Sequence, residues 1–330
     1  MTQSGNEKIA LLSEEKRKEL FQESAAQLGM KPASIEKDFW VCWALQRIFS
    51  DQTLNQQLLF KGGTSLSKCY NLIERFSEDI DLILDWRLIT DSDPYEERSN
   101  TKQDRFNKAM EQDARSYIGN ELLGQLKDLF DGYELNVKPD SPKSILLSYP
   151  LAFRSNYIKP QIELEFGPMS AMTPNNRYTI APYCQNAAPK ELGELNLEVR
   201  SIKAVKTFWD KVTILHCEAH RPEHKTQQAR YSRHYYDLYR MLNSDIKQAA
   251  MENQALLTTT FKFKQKFYPQ GFAKYQNAID GHIRLIPPEF RQEALQKDYK
   301  AMNEMIYGDY PSWELIMKTI KAFEQELANS

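Results

Sequence analysis

KGGTSLSKCYNLIERFSEDIDLIL, residues 61–84, carries the change of hydrophobic period on which the fold turns. A short apolar run, Gln57 to Phe60, leads into it and breaks at Lys61-Gly62-Gly63. After the glycines Leu66, Cys69, Tyr70 and Ile73 recur at helical spacing, so the segment predicts strand, tight turn, helix. At Asp79 the period drops to two: Asp79 and Asp81 fall on one side, Ile80 and Leu82 on the other, which predicts a strand with one apolar face. Two glycines let a backbone approach a phosphate with no Cβ in the way. Thr64 and Ser65 offer hydroxyls, and the first turn of the following helix offers free N–H groups. Two carboxylates at alternating strand positions stand roughly 6 to 7 Å apart, close enough to share divalent cations.

Outward from that segment the chain divides by period. Upstream, residues 13–28 read as a helix, and Ser34 is placed to cap a second one through IEKDFWVCWALQRIF. Downstream, residues 101–130 read as a long polar helix. YELNVKP, SILLSYPLAF and KPQIELEFG then alternate like strands, so the sheet is expected to be mixed or antiparallel, and after LNLEVRSI the period changes. Beyond residue 200 the chain reads as helices with proline breaks. The expectation is an α/β (α+β) domain over 1–200 with N-terminal helices, and a largely helical domain over 201–330. QIELEFG adds Glu163 and Glu165 on one strand face; either completes a three-carboxylate set.

The bulk properties narrow the function classes. With 330 residues the chain can bury a large core, and 41% hydrophobic against 27% charged residues excludes disorder. A formal net charge of −2 means that any polyanion site is local. Arg200, Lys203, Lys206, Lys211, Arg221, Lys225, Arg230 and Arg233 form a basic stretch suited to RNA. The four cysteines are scattered without a C-x-x-C pair, which argues against structural zinc or disulfides. His216, His220 and His224 repeat every four residues, but Pro222 interrupts the helix that would align them, so they read as structural. No basic leader or long apolar segment is present, so the expectation is a cytoplasmic protein with no membrane part.

FKGGTSLSKCYNLIERFSEDIDLIL resembles the signature of the AbiEii/AbiGii toxin family of nucleotidyltransferases, within the polymerase-beta-like superfamily. IEKDFWVCWAL upstream, and TFWDKVTILHCEAHR and SRHYYDLYRML downstream, resemble its other blocks in the same order, spanning about residues 35 to 242. The resemblance implies a polymerase-beta-like core with a mixed sheet, and a helical C-terminal domain that completes the active site and the acceptor-binding face. It implies that Lys61, Gly62, Gly63, Thr64 and Ser65 grip a nucleoside triphosphate; in ERFSED, Arg75 and Ser77 read as site walls or as part of an ordinary helix-to-strand turn. Asp79 and Asp81 would hold two magnesium ions, one polarising the attacking hydroxyl and one holding the leaving pyrophosphate. Glu163 is the implied third acid and Glu165 its reserve. Lys211 resembles the family lysine that neutralises phosphate charge, and Asp237 its late aspartate, structural or catalytic. The implied reaction moves a nucleoside monophosphate onto RNA, particularly the tRNA 3′ end, as the toxin of a toxin–antitoxin or phage-defence system with an antitoxin encoded nearby. The alternatives are modification of a protein hydroxyl and a non-catalytic nucleotide sensor.

Overall fold

The computed structural model describes residues 4–77, 79–154, 158–169 and 172–329. The chain forms two compact units. One comprises residues 1–69 and 76–202, the other 70–75 and 203–330.

The first unit is built on a seven-stranded mixed sheet. Its strands are β1 (Leu58–Lys61), β2 (Asp79–Leu84), β3 (Leu135–Lys138), β4 (Ser141–Ser148), β5 (Gln161–Gly167), β6 (Asn175–Ile180) and β7 (Leu197–Ile202). Their order is β3-β4-β5-β2-β1-β7-β6. β2–β5 and β1–β7 are parallel pairs; the remaining neighbours are antiparallel. Alternation makes the two faces chemically different. Phe60, Ile80, Leu82, Leu84, Ile145, Leu147, Ile162, Leu164 and Phe166 are fully or almost fully buried in one large apolar cluster with the N-terminal helices. The opposite face has a small apolar patch of Leu59, Ile83 and Ile202, and the acids flank it.

The helix Pro32–Ser50 closes the apolar face with Phe39, Trp40 and Trp43, whose rings meet edge to face. It begins at Pro32, not after a Ser34 cap: proline with its fixed φ suits the first helical position, and Ser34 lies buried inside the first turn. The helix after the glycine turn is also shorter than its periodicity predicts, ending at Lys68. Cys69 caps it, and Asn71, with a left-handed φ of 52°, turns the chain, residues 70–75 belonging to the second unit. β6, NNRYTI, escaped the sequence reading because it is an edge strand with only Ile180 buried.

The second unit is helical, with long helices at Ala204–Ala219, Arg233–Leu242, Gln254–Phe267, Glu289–Ala301 and Trp313–Ala328. Phe208 meets Phe323 edge-on at 5.5 Å, and Tyr235 meets Trp313 at the same distance. Among the described residues no helix is long and apolar enough to cross a membrane.

Candidate active site

In the first unit strand register gathers the acids. Lys61 lies opposite Asp81 across β1–β2, and β2–β5 pairs Asp79 with Glu163 and Asp81 with Glu165. Register partners in neighbouring strands share a face, so Lys61 and the four carboxylates occupy one patch of the polar side. Gly62, directly after β1, has a φ of 80°, and a Cβ built there would sit 1.8 Å from Asp81 Oδ2. Both facts demand glycine: the conformation disfavours a side chain, and the Asp81 carboxylate fills the space that one would need.

Thr64 and Ser65, expected to offer hydroxyls to phosphate, use them inside the protein. Thr64 is 2% exposed and its Oγ1 donates to the Asp79 carbonyl at 2.6 Å; Ser65 is fully buried and donates to the Gly62 carbonyl at 2.9 Å. Thr64 thereby ties the helix to the first residue of β2. Ser77, half-buried, supplies a backbone carbonyl 3.5 Å from the same hydroxyl.

The two candidate third acids differ sharply. Glu163 is 7% exposed and accepts two bonds from Lys138 Nζ, at 2.9 and 3.0 Å, with Lys159 Nζ at 3.5 Å. Burial pushes its pKa up, but bonds from Lys138 and Ser144 and the two lysine charges outweigh burial and hold it below the usual carboxylate range. Glu165, next to Asp81 in the sheet, is exposed. Among the described residues no three His, Cys, Asp or Glu come together in metal-holding geometry. Magnesium is commonly held by one or two carboxylates, with phosphate and water completing its shell, so the hard oxygens of Asp79 and Asp81 suit that ion chemically.

Arg75, Lys211 and Asp237, expected in the same site, meet one another in the second unit. Asp237 is fully buried; Arg75 donates to both its oxygens, at 2.6 and 2.8 Å, and Lys211 Nζ donates at 2.6 Å. Burial opposes the charge on Asp237, yet the two cations hold its pKa far below the ordinary range. Burial lowers the pKa of Lys211, against the pull of Asp237. His234 is held well below its usual value, first by burial and then by Lys211, so as a neutral ring it accepts from Lys211 Nζ at Nδ1, 3.0 Å away. Arg75 is thus part of a buried ion cluster.

Three residues of the basic stretch are neutralised where they stand. Lys206 pairs with Asp210 at 2.7 Å, Arg221 with Glu218 at 2.6 Å, and Lys211 with Asp237. His216 is fully buried; its Nδ1 accepts from the Arg284 N–H at 3.1 Å and its Nε2 lies 3.3 Å from the Lys274 carbonyl, a structural role. Sequence reasoning missed Lys138 and Lys159 as partners of Glu163. It also missed the buried Lys68–Asp38 pair, at 2.8 Å, behind the glycine helix. These partners lie 25 and 30 residues apart or have no motif of their own, so only strand pairing and helix packing reveal them.

A family model described as nucleotidyl transferase AbiEii toxin, type IV toxin–antitoxin system, matches residues 43–329. Among solved structures, MenT4, a nucleotidyltransferase toxin from Mycobacterium tuberculosis H37Rv, aligns with a TM-score of 0.44 at 16% identity, over 93% of this chain and 92% of that one. No curated protein matches the chain.

Proposed function

The chain belongs to the AbiEii family of nucleotidyltransferase toxins, and from that premise we propose that it transfers a nucleoside monophosphate from a nucleoside triphosphate to RNA, the tRNA 3′ end being the acceptor, with magnesium and under the control of a cognate antitoxin. The observation that carries this reading is the row Lys61, Asp81, Glu165 across three strands, beside a glycine whose missing Cβ makes room for the Asp81 carboxylate. The Gly62-Gly63 backbone admits phosphate, and Asp79 and Asp81 hold the metal. When bound, magnesium neutralises phosphate charge and polarises the attacking hydroxyl. Glu165 is favoured over Glu163 as the third acid, because Lys138 and Lys159 already balance Glu163. Thr64 orients the β2 strand through its bond to Asp79. Lys211 stays with Asp237 and Arg75 in the buried ion cluster of the second unit.

The test is incubation with each labelled nucleoside triphosphate, magnesium and total tRNA, comparing wild type with Asp81→Ala. Wild type should label RNA and the variant should not; equal labelling by both would sink the metal role. Local pairing of Lys206, Lys211 and Arg221 keeps a protein hydroxyl as a second acceptor. Label migrating with protein and not with RNA would select it.

A further inference from the structure

The second unit holds a cavity of about 530 Å³ lined by Asn71, Tyr239, Arg240, Asn243, Tyr310 and Leu315, among others. It lies outside every residue assigned above to phosphate or metal. We propose that it receives one unstacked nucleobase of a single-stranded RNA acceptor, with the base lying on the ring of Tyr310. This rests on the RNA-acceptor reading and adds to it a binding site for the acceptor.

The cavity has a fixed aromatic floor. The Tyr310 ring lies parallel to that of Tyr299, with centroids 4.8 Å apart and an interplanar angle of 7°. Tyr299 is 2% exposed, packs on Trp313 at 5.5 Å and donates its hydroxyl to the Pro311 carbonyl at 2.8 Å. Tyr310 therefore has one face braced, yet the residue is 42% exposed. Leu315, 45% exposed, adds an apolar surface at the same cavity. An exposed, braced ring is how proteins that bind single strands hold a base.

The wall is equally well built. Arg240 donates to Glu74 Oε2 at 2.7 Å, and the same oxygen accepts from the Asp309 N–H at 3.1 Å. The Tyr307 N–H donates to the Glu74 carbonyl at 3.0 Å, and Arg75 bridges Ile306 in antiparallel fashion. Gly308 approaches so closely that a Cβ there would lie 2.0 Å from Glu74 Oε2.

Charge separates a base from a phosphate as the occupant. Arg240 is balanced by Glu74, and Asp309 adds a negative charge, so the lining does not favour a triphosphate. It does offer paired donors and acceptors to a flat neutral ring. Asn71 brings a whole side-chain amide, and Asn243 donates to the Tyr239 carbonyl at 2.8 Å while keeping its amide oxygen as an acceptor. Amide side chains of this kind match the edges of bases.

The experiment uses the full-length chain and a short fluorescein-labelled single-stranded RNA. Anisotropy titrations compare wild type, Tyr310→Ala, Tyr310→Phe and Leu315→Glu, each checked for an unchanged Tm. Loss of one base stack should weaken binding at least about fivefold in Tyr310→Ala. Tyr310→Phe should restore it, and Leu315→Glu should weaken it by charge repulsion. In the labelling assay the KM for RNA should rise in Tyr310→Ala while kcat at saturating RNA holds. Folded Tyr310→Ala and Leu315→Glu proteins that bind RNA like wild type would overturn the site; if they still label RNA, the transferase reading survives. Wild type that labels protein and neither binds nor labels RNA would remove both the acceptor reading and this site.

Discussion

Asp81 and Asp237 are both aspartates the sequence marks for chemistry, and the fold treats them oppositely. In the sheet unit Asp81 stands half-buried between Lys61 on one strand and Glu165 on the next, with an acid pair, Asp79 and Glu163, one step along. In the helical unit Asp237 is fully buried, with Arg75 on both oxygens and Lys211 on one. Like charges on neighbouring strands repel, and Lys61 opposite Asp81 and Lys138 on Glu163 offset part of that repulsion. A buried acid between two cations is internally satisfied, and losing one partner is what costs stability. The contrast teaches that position in a motif does not reveal whether a carboxylate serves a ligand or the fold; its neighbours in space do.

The largest expected effect separates the two acids directly. Asp81→Asn should lower nucleotidyl transfer by at least about a thousandfold, several kcal/mol of lost charge stabilisation, with only a small change in Tm, since Glu165 loses a like-charged neighbour while Lys61 loses an opposite one. Label incorporation and thermal melting read the two parts. Near wild-type turnover, or a large fall in Tm, would contradict the contrast.

Next in size, Asp237→Ala should destabilise the protein by about 3–5 kcal/mol, since it leaves Arg75 and Lys211 buried without their acid. Denaturant titration measures it. Because Asp237 ionises far more readily in the fold than in the unfolded chain, its contribution is complete above about pH 4. Below that the unfolded chain binds the proton that the folded one refuses, so wild-type stability should decline as pH falls while the variant loses this component. A variant as stable as wild type at neutral pH would give Asp237 the same standing as Asp81.

How far the sequence carries this contrast depends on the range of each interaction. The period-two alternation of EDIDLIL, the glycine turn and the later strands are local, and they appear as β1, β2, β4 and β5 with the acids on one face. The helix ends at Lys68 and the chain turns at Asn71, against a periodicity that ran on to Ile73. That stop sends Glu74 and Arg75 into the second unit, so no local pattern could reveal that Arg75 would bind Asp237, 162 residues away. Side-chain types marked Thr64 as a phosphate hydroxyl; only the register of β2 reveals that its Oγ1 reaches the Asp79 carbonyl.

A smaller effect moves the contrast to pH. Burial lowers the pKa of His216 to about 4, so the folded helical unit resists a proton that the unfolded chain accepts from about pH 6.5 downward. His216 alone should therefore take about 2 kcal/mol from stability between pH 7 and pH 5, with His234 adding to the fall. His216→Gln should make that part of the profile shallower by the His216 share, leaving the fall due to His234. A wild-type profile flat over this range would mean that His216 is not held neutral.

The smallest effects lie within the sheet and discriminate between its two glutamates. Glu165→Gln removes the exposed acid beside Asp81 and, as the proposed third carboxylate, should lower transfer about tenfold with little change in Tm. Glu163→Gln removes an acid already neutralised by Lys138 and Lys159, so transfer should stay within about threefold of wild type. Its cost should be in stability, about 1 kcal/mol, because Lys159 is half-exposed and the pair is screened. Measured side by side at matched magnesium, the two variants should cross: one loses rate and keeps stability, the other the reverse. If Glu163→Gln loses rate and Glu165→Gln does not, then an acid bound to two lysines serves the reaction, and neutralisation by neighbours no longer separates folding acids from working ones in this sheet.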